Sequence, residues 1–409
     1  AVSGSALPRA ADSPASRPAP RCPRFPRPPG ALPVSAPSVP APQRVLLVQP
    51  WIPSADLWLS MTRYSGRIAA LLEPGVEVSS ARASHVNMPL PLRRFFPSYR
   101  RFEPLPRRCG GPLRRAPCTE TCIGAHARRC DGARGTPVHD TMPAEYAGWF
   151  ERGGARWRTA YLRSLHRLGR SDLVITPSEH TRRGLLESTR LAPELVRVVG
   201  IHVPDGIAAP PPGSVREPAT ILSVGTTAPY KNLPLLLHAL ARPELRGARL
   251  LRVGSPFDGE LPALVRRLGL EERIENLGGV SDERLLSVLQ SSTVLAQPSL
   301  DEGFGMPAAE AMAAGLPVVC SNGGALPEVV GGAGRVVPFR KLTKGPPNLD
   351  DARDFAAALA DVLGSPGVQQ SMSEAGLREV SRYRAAPVRE QLLRAYGSAM
   401  ELARARSGA

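Results

Sequence analysis

The chain has 409 residues, 42% of them apolar, and a formal charge of +16 at pH 7. That length suits two domains of ordinary size, and the absence of an uninterrupted apolar run of about 18 residues argues against a membrane-spanning helix. Residues 1–44 carry six Arg against one Asp, and residues 93–136 carry eleven Arg against Glu103, Glu120 and Asp131; these two segments hold 13 of the 16 charges, so the rest of the chain is near neutral and no nucleic-acid partner is expected of it.

Residues 1–43 contain 12 of the 45 prolines, mixed with Ala, Ser and Arg and without apolar period. They read as a disordered tail with no secretory apolar core. "RVLLVQP" (44–50) is a short β-branched run ended by Pro, a buried strand, and a helical period over 62–73 follows it. A strand feeding a helix opens an α/β domain.

The second basic segment, 93–136, breaks that pattern, with neither a period of 2 nor one of 3.6 sustained. It reads as an insertion or as the product of an altered reading frame, and the residues do not decide between the two. Four of the six cysteines fall there (Cys109, Cys118, Cys122, Cys130). Large domains otherwise poor in cysteine do not make a disulfide scaffold, so a reducing compartment is expected. Cys118, Cys122, His126 and Cys130 recur every four residues, enough ligands to count as a zinc set. Close Cys pairs are missing, however, and chance clustering is the plainer reading; no metal is expected. Aromatic residues interleaved for base stacking are also missing, so the segment is not read as an RNA binder.

Strand and helix resume in "SDLVITPSEHTRRGLLE" (171–187), with a strand over Leu173–Thr176, and "VRVVGIHVPDGI" (196–207) adds a strand and a loop. The Pro-rich "AAPPPGSVREP" after it marks a domain boundary near 208. From 220 the alternation is regular, with strands at "TILSVGT", "RLLRVG", "RIENLGG", "TVLAQPS" and "PVVCSN" and helical segments between. Such spacing predicts parallel sheets covered on both faces. The expected organisation is a tail (1–43), a first Rossmann-like domain (44–207, atypical over 93–136), a second (208–385), and a terminal helix (386–409) that packs back on the first.

Ligands of open parallel sheets bind where strand ends hand over to helix starts, and two motifs fall at such places. In "SVGTTAPYKN", Gly225 permits a tight turn before Thr226, and Lys231 stands at a helix entry. Only three lysines accompany 49 arginines in the chain. Taken alone, the motif reads either as a cap with a solvated lysine or as a phosphate cradle with a compact charge. In "SLDEGFGMPAAEAMAAGLPVV" (299–319), Gly303, Phe304, Gly305 and Met306 lead into a helix near Pro307, with Glu302 in the loop and Glu310 a turn into the helix. Carboxylates clamp sugar diols, but they also offset helix dipoles.

Together, "VGTTAPYKN", the Glu, seven residues, Glu pattern followed by "AMAAGLPVV", and "GGALPEVVGGAG" resemble the donor domain of glycosyltransferase family 4. The similarity extends over about 171–400 and reaches the first domain only in pieces, among them "TPVHDTMP" (136–143). The resemblance implies an α/β GT-B fold, two Rossmann-like doubly wound domains facing a cleft, and retaining transfer of a mannose- or glucose-type hexose from a nucleotide-diphosphate sugar to a glycan or lipid-linked acceptor. It implies catalytic roles for Glu302, at the transferred sugar, and His139, facing it across the cleft. Donor binding would fall to Gly225, Thr226 and Lys231 at the diphosphate, to the amides of Gly303, Phe304, Gly305 and Met306, and to Glu310 at the ribose. Thr226 and Tyr230 stand where relatives often carry Arg, which loads the diphosphate charge on Lys231. The co-substrate would be the only small-molecule partner, with no essential metal or other cofactor. The location would be cytoplasmic, peripheral at the inner membrane face where the acceptor is a lipid. The alternative is a non-catalytic nucleotide-sugar-binding paralogue with a degenerate acceptor domain.

Overall fold

A computed structural model describes strands 44–50, 77–83, 118–120 and 134–137, residues 138–141, the helical residues 67, 68, 71, 72, 162, 165 and 168, and residues 171–407 apart from 212, 341 and 344. The expected tail at 1–43 and three of the four zinc-spaced residues, Cys122, His126 and Cys130, lie outside them.

Among the described residues twelve strands form two six-stranded sheets in which every pairing is parallel. The first holds β1 (Arg44–Pro50), β2 (Glu77–Ala83), β3 (Cys118–Glu120), β4 (Arg134–Pro137), β5 (Leu173–Thr176) and β6 (Val196–Val198), in the order β2-β1-β3-β4-β5-β6. The second holds β7 (Thr220–Gly225), β8 (Arg249–Gly254), β9 (Ile274–Gly278), β10 (Val294–Gln297), β11 (Val318–Ser321) and β12 (Arg335–Val337), in the order β12-β11-β10-β7-β8-β9. The helices with defined ends among the described residues are α1 (Glu179–Ser188), α2 (Leu233–Leu240), α3 (Leu261–Leu268), α4 (Asp282–Ser291), α5 (Met306–Ala313), α6 (Leu326–Val330), α7 (Leu349–Gly364), α8 (Pro366–Val380) and α9 (Ala385–Ser407). No helix among the described residues is long and apolar enough to cross a membrane.

The period of two along a strand sorts its side chains between layers. In β7 and β10, Ile221, Val294 and Ala296 join the core formed with α2, α3 and α7, while Leu222 and Leu295 face the core that holds α5. In β5, Val174 packs with Leu165, Leu168 and Leu185, and Leu173 and Ile175 face the other way. Helix α5 is buried on all sides, and Ala308, Ala309, Ala311 and Ala313 are small enough to let it lie close on β10 and β11.

Three features depart from the sequence reading. The segment without periodicity contributes β3 and β4, whose register comes from their neighbours: Leu46 pairs with Cys118, and Gly135 with Leu173. Strands β2 and β12 are additional, and the strand opening "VRVVGIHVPDGI" stops at Val198.

The chain passes from the first sheet to the second after β6 and returns into α9, which packs on β4 and β5. The two passages are bonded together. Val203 N donates to Tyr383 O at 2.9 Å, and Arg384 donates to Pro204 O at 2.8 Å and Ile207 O at 2.9 Å.

Candidate active site

The order in which strands are added to the second sheet reverses between β7 and β10, parallel neighbours although β8 and β9 separate them in sequence. Such a switch point opens a crevice at the carboxyl ends of its two strands. The turn after β7 and the loop after β10 both lie there, tied together by Leu300 N donating to Tyr230 O at 2.7 Å.

Glu302 sits in the β10 loop, 7% exposed. Its Oε1 accepts from Lys231 Nζ at 2.7 Å, Ser299 Oγ at 2.7 Å and Gln297 Nε2 at 2.9 Å, three donors that hold the carboxylate in one orientation. Burial pulls the Lys231 ammonium down, but the Glu302 charge, Tyr230 and the hydrogen bond to Glu302 outweigh it, and its pKa is raised above the ordinary lysine value. The Lys231 ammonium stays protonated at neutral pH.

Gly305, at φ +101°, is the N-cap of α5, a left-handed conformation that a side chain would strain; a Cβ there would also come within 2.7 Å of Leu326 Cδ2. The amides of Gly303, Phe304, Gly305 and Met306 donate to no acceptor among the described residues, which leaves a row of donors at the helix start. Phe304 is buried edge-on against Tyr383, ring centroids 5.0 Å apart. Glu310, one turn into α5, meets Arg67 of the first domain at 3.4 Å.

His139 and Asp140 follow β4. A Cβ on Gly303 would collide with the His139 carbonyl and come within 2.9 Å of Asp140 Cβ, so only glycine lets the two backbones touch. The structure thereby brings His139 beside the Glu302 loop. Burial pushes the His139 imidazole down to about 4, so it is neutral at pH 7. Gly303 O accepts from Ser178 Oγ at 2.6 Å and Thr181 Oγ1 at 3.0 Å, both at the start of α1. Glu328 of α6 accepts from the amides of Glu179 at 2.9 Å and His180 at 3.2 Å, a carboxylate on a helix N-terminus. His180 Nε2 lies 2.9 Å from Asp301 Oδ1.

Gly225 ends β7, and Thr226 Oγ1 accepts from Ala228 N at 3.4 Å. Beneath them lies Arg252 of β8, 1% exposed, whose guanidinium donates to Gly225 O at 2.6 Å and Thr226 O at 3.0 Å. Among the described residues no group of three His, Cys, Asp or Glu side chains is placed to hold a metal ion.

Residues 209–379 match the family model of the glycosyl transferases group 1. Over those residues the chain is similar to the group 1 glycosyl transferases. Two proteins similar to the chain are the MMP alpha-(1->4)-mannosyltransferase of Mycolicibacterium hassiacum, 33% identical over 50% of the chain and 48% of that protein, and the O-antigen chain mannosyltransferase B of Escherichia coli, 37% identical over 40% of the chain and 39% of that protein. The chain therefore spans less than half the length of either. Sucrose-phosphate synthase from Thermosynechococcus elongatus superposes with a TM-score of 0.64 at 19% identity, covering 86% of this chain and 97% of that one. Anabaena HepE in complex with UDP and glucose superposes with a TM-score of 0.60 at 17% identity, covering 86% and 98%. At such identities the likeness concerns the fold, and the chain has the GT-B fold that its motifs imply.

The sequence reading named Glu302, Glu310, Lys231 and His139, and the structure brings Glu302, Lys231 and the His139 backbone together with Glu310 one turn into α5; it did not name the residues that contact them. Gln297 and Ser299 stand in the same motif, and their spacing to Glu302 was a usable signal. Ser178 was legible as an N-cap, since it accepts from Thr181 N at 3.0 Å, but not as a contact of Gly303. Arg67 and Arg252 gave no local signal. The sequence reading rests the diphosphate charge more heavily on Lys231; in the structure Lys231 is matched by Glu302, and a second buried cation, Arg252, lies under the turn.

Proposed function

We propose that the protein is a retaining hexosyltransferase that moves a mannose- or glucose-type sugar from a nucleoside-diphosphate donor to a glycan or lipid-linked acceptor. The observation that carries this reading is the convergence of Lys231, Glu302 and the amides of residues 303–306 at one switch point, against the His139 backbone. The mannosyltransferase names of two relatives support the sugar class.

In this reading the bond from the anomeric carbon to the diphosphate breaks while a bond to the acceptor oxygen forms on the same face, and the acceptor proton passes to the departing phosphate oxygen. Charge on the leaving group falls to Lys231 and the amides of the α5 start, and preorganisation supplies most of the acceleration. Lys231 then exchanges part of its bond to Glu302 for phosphate, which frees Glu302 to accept from sugar hydroxyls. Neutral His139 faces the sugar from the other wall, and Glu310 takes the ribose diol. No metal or other cofactor is assigned a role. The location proposed is cytoplasmic, peripheral at the inner membrane face for a lipid acceptor.

The test is thermal unfolding with UDP, GDP, ADP and their sugars, followed by product analysis with the donor that binds. A ligand at one hundred times its Kd adds about 2.7 kcal/mol, a shift of several degrees. A shift for one nucleotide that vanishes in Glu310→Ala is the expected outcome. A cooperative melt that no nucleotide moves would refute the reading.

A further inference from the structure

We propose that Arg252 is the positioning residue of the diphosphate site: from beneath the Gly225–Thr227 turn it aims two backbone amides at the donor and supplies the positive charge that Thr226 lacks. The inference rests on the nucleotide-sugar reading above.

Arg252 leads the fully buried side chains in size. Its guanidinium donates to four main-chain carbonyls: Ser223 O at 3.4 Å, Val253 O at 2.7 Å, Gly225 O at 2.6 Å and Thr226 O at 3.0 Å. Nε is buried with no partner, and no carboxylate among the described residues forms an ion pair with the group. Burial lowers its pKa to about 10, so it keeps its charge at pH 7. Lys231 is matched by Glu302 at 2.7 Å. Arg252 thus leaves an unmatched positive charge under the turn. A buried, unmatched cation is unfavourable until an anion arrives.

The peptide geometry gives that charge a direction. In a trans peptide the carbonyl and the following N–H point opposite ways. With the Gly225 and Thr226 carbonyls drawn down onto the guanidinium, the N–H groups of Thr226 and Thr227 point away from it. Neither amide donates to any described residue. Two successive amides turned the same way make an anion-binding concavity, here at the end of β7 beside the Glu302 loop.

The experiment measures the affinity of the full chain for a nucleoside and for its diphosphate, using whichever base the wild type binds. Arg252→Met keeps bulk and removes the charge. It is expected to weaken diphosphate binding at least ~10-fold while nucleoside binding changes less than ~3-fold, and adding Thr226→Arg should restore the difference. A merely structural role would weaken both ligands alike, and that result, or no change in either, would overturn the assignment. Should Arg252→Met not fold, Thr226→Arg in the otherwise native chain decides. A gain under ~3-fold in diphosphate affinity is expected because the charge is already present, whereas a gain of ~10-fold or more overturns it. A native chain that binds no nucleoside diphosphate refutes the proposed function and this assignment together; one that binds, with a variant that discriminates equally well, refutes only the assignment.

Discussion

Arg67→Ala is expected to tighten nucleoside diphosphate binding. Arg67 reaches Glu310 Oε1 at 3.4 Å, with His202 O at 3.4 Å and Met306 sulfur at 4.0 Å as its other contacts, all near the outer limit for hydrogen bonds. In the proposed function Glu310 accepts from the ribose diol, so Arg67 competes for the same carboxylate. Two unit charges at that separation attract by about 1 kcal/mol in water and about 5 kcal/mol at an effective dielectric of 20. The side chains are 21% and 11% exposed, and both regain hydration when parted, which leaves a net coupling of about 1 kcal/mol. Removing the competitor should therefore lower Kd roughly 5-fold. Titration calorimetry on the native chain, Arg67→Ala, Glu310→Gln and the double variant closes a cycle in which the gain disappears without Glu310. Weaker binding by Arg67→Ala with Glu310 intact would mean that the arginine holds the ligand, and the competition argument would be wrong.

Glu302→Gln should leave nucleotide affinity within a few-fold and lower turnover by about 100-fold or more, read as kcat against donor Kd, because the lost charge acts on the sugar as it develops positive character. Gly303→Ala should destabilise by about 2 kcal/mol, seen as a Tm several degrees lower, since its Cβ collides with the His139 carbonyl. The His139 pKa of about 4 against an ordinary 6.5 means that the unfolded chain binds more protons between those values. The stability it contributes is complete above pH 6.5 and falls toward pH 4 by at most about 3 kcal/mol. His202, also lowered to about 4 by burial, acts in the same direction, so denaturant midpoints for His139→Gln should show a flatter, not a flat, acid limb. Transfer activity should survive dialysis against EDTA; its loss, with recovery on adding a divalent cation, would refute charge neutralisation by Lys231 and the helix terminus.

Strands β7, β8, β10 and β11 of the second sheet were legible because they are largely apolar runs of four to six residues flanked by glycine or proline, and a parallel sheet buried on both faces demands that composition. Its motifs were legible because Gly225, Gly305 and Lys231 meet local backbone and charge requirements. Strands β3 "CTE" and β4 "RGTP" were not, being too short to show a period and held by their neighbours' register. The partners of Glu328 and Gly303 lie more than 100 residues away in sequence. Nothing in "EHTRR" or "LPEVV" taken singly says that one caps the other. Arg252 looks in sequence like an error in an apolar strand, and only the four carbonyls around it give the charge a reason.

The chain crosses between the sheets twice, and the crossings are stitched by Val203 to Tyr383 and by Arg384 to Pro204 and Ile207. Two strands of backbone fastened side by side behave as a hinge pin. They resist sliding and separation, which would break all three bonds together, and leave rotation about their common line as the soft coordinate. The contacts of Gly303 with Ser178 and of Glu328 with the α1 terminus join the same two halves of the chain, so any turn about that line has to bend or break them as well.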